Sequence, residues 1–309
     1  MTAGISQGGA RVSYFYCPET GGTIDPTAPA FKPVRITQSG LSMSANEIAS
    51  NELRSDRHRV TTRRGTTTVA GDITGELSYG TFDDLLEAGF CGTWATDVLK
   101  TGATRRTFAI LKRYLDIGVD ILYRGCEVNQ IKFSCPLQEK ITAAFSMIGK
   151  SEENYTVPVG ATFGVATTTD FMTTLDGSLS IAGAGFNCAT TLDFTLNNNM
   201  AAKYSLFNTD AYENKIGMID LTGDLSAYIE DDSLKADFRG DTSNAFSIVM
   251  TDAASSGNTY TFAVPKARFT SVSADNFSGD DLGIQQLQFR GLYDSTSGTE
   301  FSLTKADAP

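Results

Sequence analysis

The sequence contains two pairs of adjacent aspartates whose spacing could form a metal or acid–base site. They are Asp83 with Asp84 and Asp231 with Asp232. Neighbouring carboxylates can bind a divalent cation or divide the acid and base roles of a reaction. Each pair, however, directly precedes a short apolar pattern typical of a helix, and the positive end of a helix dipole stabilises carboxylates. Because this placement occurs twice, we interpret both pairs as helix starts rather than as a metal or catalytic site.

Other catalytic side chains are scarce. The single histidine, His58, lies in a charged, Thr-rich segment, whereas a catalytic histidine normally lies in a pocket that orients it. The run at 182–186 (AGAGF) lacks the third glycine and the lysine of a phosphate-binding loop. The five cysteines form no C-x-x-C pair, which predicts free thiols packed as small apolar side chains; they are Cys17, Cys91, Cys126, Cys135 and Cys188. The sequence therefore predicts no enzyme, no metal and no cofactor.

The composition indicates a soluble, β-rich protein. The 309 residues include 25 Lys and Arg against 36 Asp and Glu, which gives a net charge of −11. This acidity argues against a dedicated DNA or RNA binder, because nucleic-acid affinity depends on cationic contacts to phosphate. The sequence shows no secretory signal and no apolar run of about eighteen residues, which predicts folding in a reducing cytoplasm without a membrane span.

Charge is divided unevenly along the chain. Residues 1–155, the first half, contain 17 basic and 17 acidic residues, whereas residues 156–309, the second half, contain 8 basic and 19 acidic residues. The segment from 155 to 170 has no charge before Asp170 and is rich in Gly, Pro and Thr. These features predict a domain boundary there, with a first domain at 34–155, a second at 156–309 and an N-terminal arm at 1–33.

An internal repeat supports this division. Residues 72–92 (DITGELSYGTFDDLLEAGFCG) and 220–240 (DLTGDLSAYIEDDSLKADFRG) share eleven of 21 positions at an offset of 148. Self-similarity at a domain-sized offset indicates two copies of one unit. The positions that define this repeat signature are Asp72, Gly75, Leu77, Asp83, Asp84 and Leu86 in the first copy and Asp220, Gly223, Leu225, Asp231, Asp232 and Leu234 in the second.

The repeated segment predicts a strand followed by a short helix. Apolar and small residues at Ile73, Gly75 and Leu77 alternate with polar ones, which is the period of a half-buried strand. Gly80 interrupts the pattern, and Thr81 is placed to cap a helix over 82–88. We expect Gly89 to end that helix and the second copy to be built in the same way.

The remaining sequence predicts further strands. Alternation occurs at Leu41, Met43 and Ala45 and at Leu192, Phe194 and Leu196, and later in each half at 131–147 and 269–292. The predicted fold class is all-β with minor α: two tandem β-sandwich or barrel domains, each with one short packed helix.

A basic segment at 50–68 is too polar to belong to a core, and long loops in compact domains usually have a function. Its charged residues include Arg54, Asp56, Arg57, His58, Arg59, Arg63 and Arg64. Without an aromatic residue for base stacking, a nucleic-acid contact is the weakest interpretation. A contact with an acidic protein surface, including another copy of this chain, is favoured over a solvated hairpin.

Three runs in the first half resemble the major tail tube proteins of long-tailed, non-contractile bacteriophages. They are NEIASNELRSDRHRV, VAGDITGELSYGTFDDLLEAGFCGTW and RRTFAILKRYLDIGVDILYRGCEVNQIKFSCP. The resemblance covers about residues 30–150, and the second half matches only through the repeat. It implies a β-sandwich with a flanking helix, sheets joined into rings, and rings stacked into a virion tail tube through which double-stranded DNA leaves. It also implies that the loop near 51–68 reaches a neighbouring subunit or ring, and that tape measure, tail terminator and distal tail proteins are partners.

The duplication predicts the size of the ring. Single-domain relatives assemble six to a ring, and two copies per chain would make the same ring from three chains, a homotrimeric pseudo-hexamer; a homohexamer is the alternative. The excess acid of the second half either lines the lumen and repels DNA phosphate or solubilises the outer surface. A capsid decoration or adhesin-like protein that binds a host surface is the alternative function.

Overall fold

A computed structural model describes residues 7–252, 257–274 and 282–307. The all-β class with minor α content is confirmed. After a single 3-10 turn at Gly9–Arg11, the first half contains β1 (Val12–Pro18), β2 (Ala30–Pro33), β3 (Gln38–Ser39), β4 (Ser42–Ala49), β5 (Thr62–Glu76), α1 (Asp83–Gly89), β6 (Val98–Lys100), β7 (Phe108–Tyr114), β8 (Val119–Cys135), β9 (Thr142–Gly149) and β10 (Ser151–Asn154).

The second half also consists mainly of strands, with one short helix. It contains β11 (Thr162–Phe163), β12 (Gly177–Ile181), β13 (Ala184–Gly185), β14 (Ala189–Asn197), β15 (Ala201–Lys203), β16 (Glu213–Lys215), β17 (Asp220–Tyr228), α2 (Ser233–Arg239), β18 (Ser243–Asp252), β19 (Asn258–Ala274), β20 (Ile284–Gly291) and β21 (Ser302–Ala306). Among the described residues, no helix is long and apolar enough to cross a membrane.

One long antiparallel sheet runs through both halves. From the first half, β3 and β4 pair with β5, β5 with β9, and β9 with β8. The sheet crosses into the second half where β8 pairs with β14, and it continues through β17, β20 and β19. Two strands are long enough to serve two sheet regions: β8 also pairs with β7 and β10, and β19 also pairs with β18 and β21.

The hydrophobic core is likewise continuous across the halves. Phe133 of β8 stacks on Phe194 of β14 with ring centroids 4.8 Å apart, and it contacts Phe262 of β19 at 4.7 Å. Phe262 in turn stacks on Phe301, and all four rings are buried. Burial of this aromatic surface joins the two halves through packing as well as through strand pairing.

The predicted strand and helix of the first repeat copy are present. Ile73, Gly75 and Leu77 point into the core, and α1 buries Leu85, Leu86 and Ala88. The predicted Thr81 cap is wrong: Phe82 occupies the N-cap, no side chain caps the helix, and the Thr81 hydroxyl instead pairs with Ser78 and Thr167.

Gly89 is the last residue of α1, as predicted, but for a different reason. The left-handed turn after the helix is made by Cys91, with φ of 48°. A Cβ on Gly89 would lie 2.3 Å from Ile131 Cδ1, so a glycine is required for α1 to lie close against β8.

The second copy does not start its helix in the same way. α2 begins at Ser233, so Asp231 and Asp232 precede the helix instead of occupying its first turn. Only Leu234 of α2 is buried. The expectation of equivalent helix starts is therefore wrong, because polar Glu230 and Ser233 replace the apolar Phe82 and Leu85 of the first copy.

The N-terminal arm and the basic segment both contribute strands. The N-terminal arm at 1–33 is described from residue 7, and there it supplies β1, which pairs along its whole length with β7. Residues 62–68 of the basic segment belong to β5, so the loop proper spans 50–61 and forms the end of a β4–β5 hairpin. The five cysteine thiols are free and buried, and burial raises the pKa of Cys135 to about 12.

Candidate assembly surface

The joint between the two halves is a strand pairing. Six residues of β8, 130–135, pair antiparallel with residues 192–197 of β14. On the solvent-facing side of this joint, the Asp193 carboxylate accepts a hydrogen bond from the Ser134 hydroxyl at 2.7 Å and pairs with Lys132 at 3.3 Å. On the core side, Leu192, Phe194 and Leu196 are all buried, as their alternation predicted.

A buried ion pair closes one end of this joint. Glu127 of β8 is only 1% exposed, and both of its carboxylate oxygens accept hydrogen bonds from Arg105, at 2.8 and 2.9 Å. Arg105 also binds Glu213 of the β15–β16 hairpin at 2.7 Å. These hydrogen bonds, with Glu127 first, hold the pKa of Arg105 above its usual range. The arrangement ties the second-half hairpin to the first half through charge-assisted contacts.

Two buried asparagines complete this attachment. The Asn198 amide donates to Gly89 O at 2.8 Å and to Val128 O, and the Asn214 amide donates to Gly125 O. Both asparagines are fully buried. Their carbonyl-rich surroundings explain why polar side chains are retained in the core.

The hairpin also lies directly on β5. The Tyr204 hydroxyl donates to Thr67 O at 2.9 Å, and the Thr67 amide donates to Thr209 O at 2.8 Å. The Thr67 hydroxyl donates to Asp210 at 2.8 Å. The base of the β15–β16 hairpin is thus fixed on the first half at the Glu127 end of the joint.

Asp83 and Asp84 act as structural anchors. The Asp83 carboxylate accepts from the Tyr260 hydroxyl at 2.6 Å and from Lys305 at 3.0 Å, which connects α1 to the second half. Asp84 accepts from Tyr16 at 2.9 Å and pairs with Lys32, which connects α1 to the N-terminal strands. Burial, reinforced by these carboxylates, raises the pKa of Tyr16 and of Tyr260.

Their counterparts in the second half make only local contacts. Asp231 accepts hydrogen bonds from the Ser233 hydroxyl and amide, which lower the pKa of Asp231. Asp232, just before α2, pairs with Arg239 at the end of that helix. Over residues 7–252, 257–274 and 282–307, no cluster of three or more His, Cys, Asp or Glu side chains could hold a metal ion.

The other residues of the repeat signature pack in the core or form polar contacts on the surface of the sheet. Leu77, Leu86, Leu225 and Leu234 are buried. On the opposite face of the sheet, Asp72 accepts from Ser146 at 2.5 Å, and Asp220 makes a two-pronged pair with Arg290 at 2.6 and 2.7 Å.

The predicted contact loop is a solvent-exposed hairpin end. Arg54 pairs with Asp56 at 2.7 Å, which lowers the pKa of Asp56, and the His58 amide donates to the same carboxylate. Arg57 has a left-handed φ of 61°, Arg59 is exposed, and Arg63 and Arg64 lie on β5 opposite Ile48 and Glu47. The structure gathers these side chains at one end of the molecule.

The long sheet has an open edge at each end. At one end, β3 and β4 have β5 as their only partner strand among the described residues. At the other end, residues 269–274 of β19 pair only with β20 within the described part of the chain. Unpaired strand edges readily accept a strand from another chain.

Sequence reasoning missed the residues that hold the joint. Glu127, Arg105 and Asn214 come from three separate segments, and no local pattern links them. Asn198 lies in the polar stretch 197–199, and a polar stretch in a sequence does not distinguish a turn from a buried anchor.

The two halves of this all-β chain are joined strand to strand, and within the described residues the long sheet keeps an unpaired strand edge at each end. A family model for "Phage tail tube protein" matches residues 9–291, and the chain belongs to that family. No curated protein matches the sequence. The protein is therefore a structural component of the phage tail, where it self-assembles into a tube.

Proposed function

We propose that three chains close into a ring by repeating, between chains, the joint that β8 and β14 make within one chain. The register of the sheet supports this. β14 pairs Leu196 with Leu221, and β3 pairs Ser39 with Ile73, which stands 148 positions before Leu221. β3 with the start of β4 thus holds in the first half the place that β14 holds in the second.

The opposite edge has the matching geometry. β8 pairs with β7 along its first part and with β14 beyond it, while β9 covers its other side. In the same way β19 pairs with β18 along its first part and with β20 on its other side. Residues 269–274 of β19 are therefore equivalent to the part of β8 that pairs with β14. The edge of β3–β4 from the next chain fills that position, and a repeated head-to-tail contact of this kind closes a ring.

The solvent-facing side of the long sheet then forms the channel wall. Ser, Thr and Gln are its most common side chains, and its charged residues include Asp72, Glu76, Lys132, Asp193, Asp220, Asp224 and Arg290. Its acids are largely neutralised by neighbours: Asp193 by Lys132, Asp220 by Arg290, and Glu76 by Lys140. Because the wall presents few free cations to DNA phosphate, double-stranded DNA passes without binding.

The duplicated unit, domains at 34–155 and 156–309, underlies the count of three chains rather than six. The proposed setting is a non-contractile, siphovirus-type tail assembled in the host cytoplasm, with tape measure, tail terminator and distal tail proteins as partners. In this setting the basic β4–β5 hairpin contacts the acidic surface of a neighbouring subunit or ring. Replacing Asp193 and Asp224 with Lys is expected to slow DNA ejection, and unchanged ejection would count against a lumenal role for the second-half acids.

Site-directed labelling tests which face lines the channel. Thr222 lies on the polar face and is exposed, and Val159 lies in the segment between the halves and is fully exposed. In the free chain, Thr222→Cys and Val159→Cys should both react with a bulky polyethylene-glycol maleimide. In assembled tubes only Val159→Cys should remain reactive, and full labelling of Thr222→Cys in tubes would contradict the proposed wall.

A further inference from the structure

The tip of the β15–β16 hairpin presents two large apolar side chains that nothing in the described chain covers. Phe207 is fully exposed and Leu206 nearly so. Phe207 also has a left-handed φ of 62°, which is rare for a bulky residue and often marks a functional position. The base of the hairpin is fixed on β5 by Tyr204 and Thr209, so the two side chains are held out from a firmly anchored support.

An apolar groove lies at the opposite end of the same strands. It has a volume of about 240 Å³ and lies between the β8–β9 turn, the segment before β12 and the start of β14. Its apolar lining comes from Leu137, Leu179 and Phe186 and from the buried Ile141, Leu192 and Ile248. Polar residues, among them Thr174 and Asp176, complete the lining. Leu137 is exposed, so the groove is accessible from outside.

The tip and the groove lie near opposite ends of β5 along the strand direction. The hairpin rests on β5 at Thr67, whereas the groove includes Ile141, whose carbonyl accepts from the Leu77 amide at the far end of β5. Ten residues of extended strand separate these points by about 30 Å. A protrusion and a matching recess at opposite ends of one molecule form a heterologous contact that propagates instead of closing.

We propose that Phe207 and Leu206 of one ring insert into the grooves of the next ring and thereby stack the rings into a tube. The proposal rests on the ring described under Proposed function, which supplies three tips on one face and three grooves on the other. The occupant of the groove is a second copy of this chain. Burial of the exposed Phe207 ring and the open groove in one contact supplies the driving force.

The β4–β5 hairpin does not have this character. The loop of the β4–β5 hairpin has a charged end, with Arg54 paired to Asp56. Its two exposed apolar residues, Leu53 and Val60, are not adjacent. The apolar stacking contact is therefore assigned to the β15–β16 hairpin rather than to the β4–β5 hairpin.

Phe207→Asp tests the contact, because it places a carboxylate in the groove without altering the anchored base of the hairpin. Electron microscopy and sedimentation should show rings of normal size, with ring–ring association weakened at least about tenfold and few or no long tubes. Val159→Asp, a matched substitution at another fully exposed apolar residue, should give tubes of wild-type length.

Cross-linking provides an independent measurement. In the double variant Phe207→Cys with Leu137→Cys, oxidation after assembly should link each chain to a chain of the next ring by a disulfide. The products should be covalent oligomers that run from ring to ring, and each single variant should give none. Tubes of wild-type length from Phe207→Asp, or double-variant tubes that do not cross-link, would overturn the stacking contact. A wild-type chain that forms no tubes in the same experiment would instead count against the proposed function.

Discussion

The helices α1 and α2 begin from the same sequence signature but lie in different surroundings. Phe90, directly after α1, is fully buried and stacks on Phe301 of the second half with ring centroids 5.0 Å apart. Phe238, the matching residue in α2, is 39% exposed. The shared residues form a strand followed by a short helix in both halves. The difference in burial shows that the residue after α1 is covered by the second half of the same chain, whereas the equivalent residue of α2 stays exposed.

The largest expected effect comes from truncating the two equivalent phenylalanines. Phe90→Ala should lower the free energy of unfolding of the unassembled chain by about 3–5 kcal/mol, because it leaves a cavity between the halves. Phe238→Ala should cost about 1 kcal/mol or less. Chemical denaturation of both variants measures the difference, and equal losses would show that α2 is packed as α1 is.

The next largest effect comes from removing one ion pair in each half of the chain. Glu127→Ala removes the main partner of Arg105 at a buried site. We expect the free energy of unfolding to fall by about 3 kcal/mol. This is the lower part of the range for buried pairs, because Arg105 is partly exposed. Asp232→Ala removes only the exposed pair with Arg239 and should leave unfolding essentially unchanged. A small loss in the Glu127 variant would contradict the assignment of this cluster as the clamp of the joint.

A pair of glycines sharpens the comparison further. A Cβ on Gly75 would lie 2.5 Å from Phe82 and 2.6 Å from the Arg35 carbonyl, whereas a Cβ on Gly223 would lie 2.2 Å from the Phe289 ring. Gly75→Ala should cost about 3 kcal/mol and Gly223→Ala about 1–2 kcal/mol, because a ring can shift more readily than backbone. Thermal unfolding ranks the two variants, and the reverse order would show that the second-half core is the more rigid.

The smallest effect is a pH dependence at α2. Hydrogen bonds from Ser233 lower the pKa of Asp231 in the folded chain, so the carboxylate stabilises folding above its ordinary pKa of about 3.9. This contribution is lost as the pH falls through the lower folded-state value. Denaturation of Asp231→Asn against the wild type should show a small difference at neutral pH that disappears below that value, and a pH-independent difference would rule out the charge as its cause.

The sequence was informative where one face of an element is buried. Ile73 and Leu77 alternate with polar residues because one side of β5 faces the core, and that pattern is local. It was uninformative where distant segments meet: Phe82 fills the space above Gly75 in the first half, while Phe289 of β20 fills the space above Gly223 in the second. Position 230, the counterpart of Phe82, is Glu, so the repeat could not show that another strand supplies the ring.

The candidate site shows the same limit. The basic hairpin stood out in the sequence by composition alone, but composition did not show that Arg54 pairs with Asp56 or that Arg57 adopts a positive φ. The apolar tip at Leu206 and Phe207 gives no signal in the sequence, since two apolar residues in a row equally suit a core. Only the fold shows that they are exposed.

The central claim is that one chain supplies two of the six equivalent positions in a ring. Cryo-electron microscopy of tubes assembled from the purified protein, combined with native mass measurement of single rings, tests it most directly. We predict rings of three chains in which the β8–β14 joint alternates with a β19 to β3–β4 joint between chains. Rings of six chains, or tubes in which residues 269–274 of β19 remain unpaired, would contradict it.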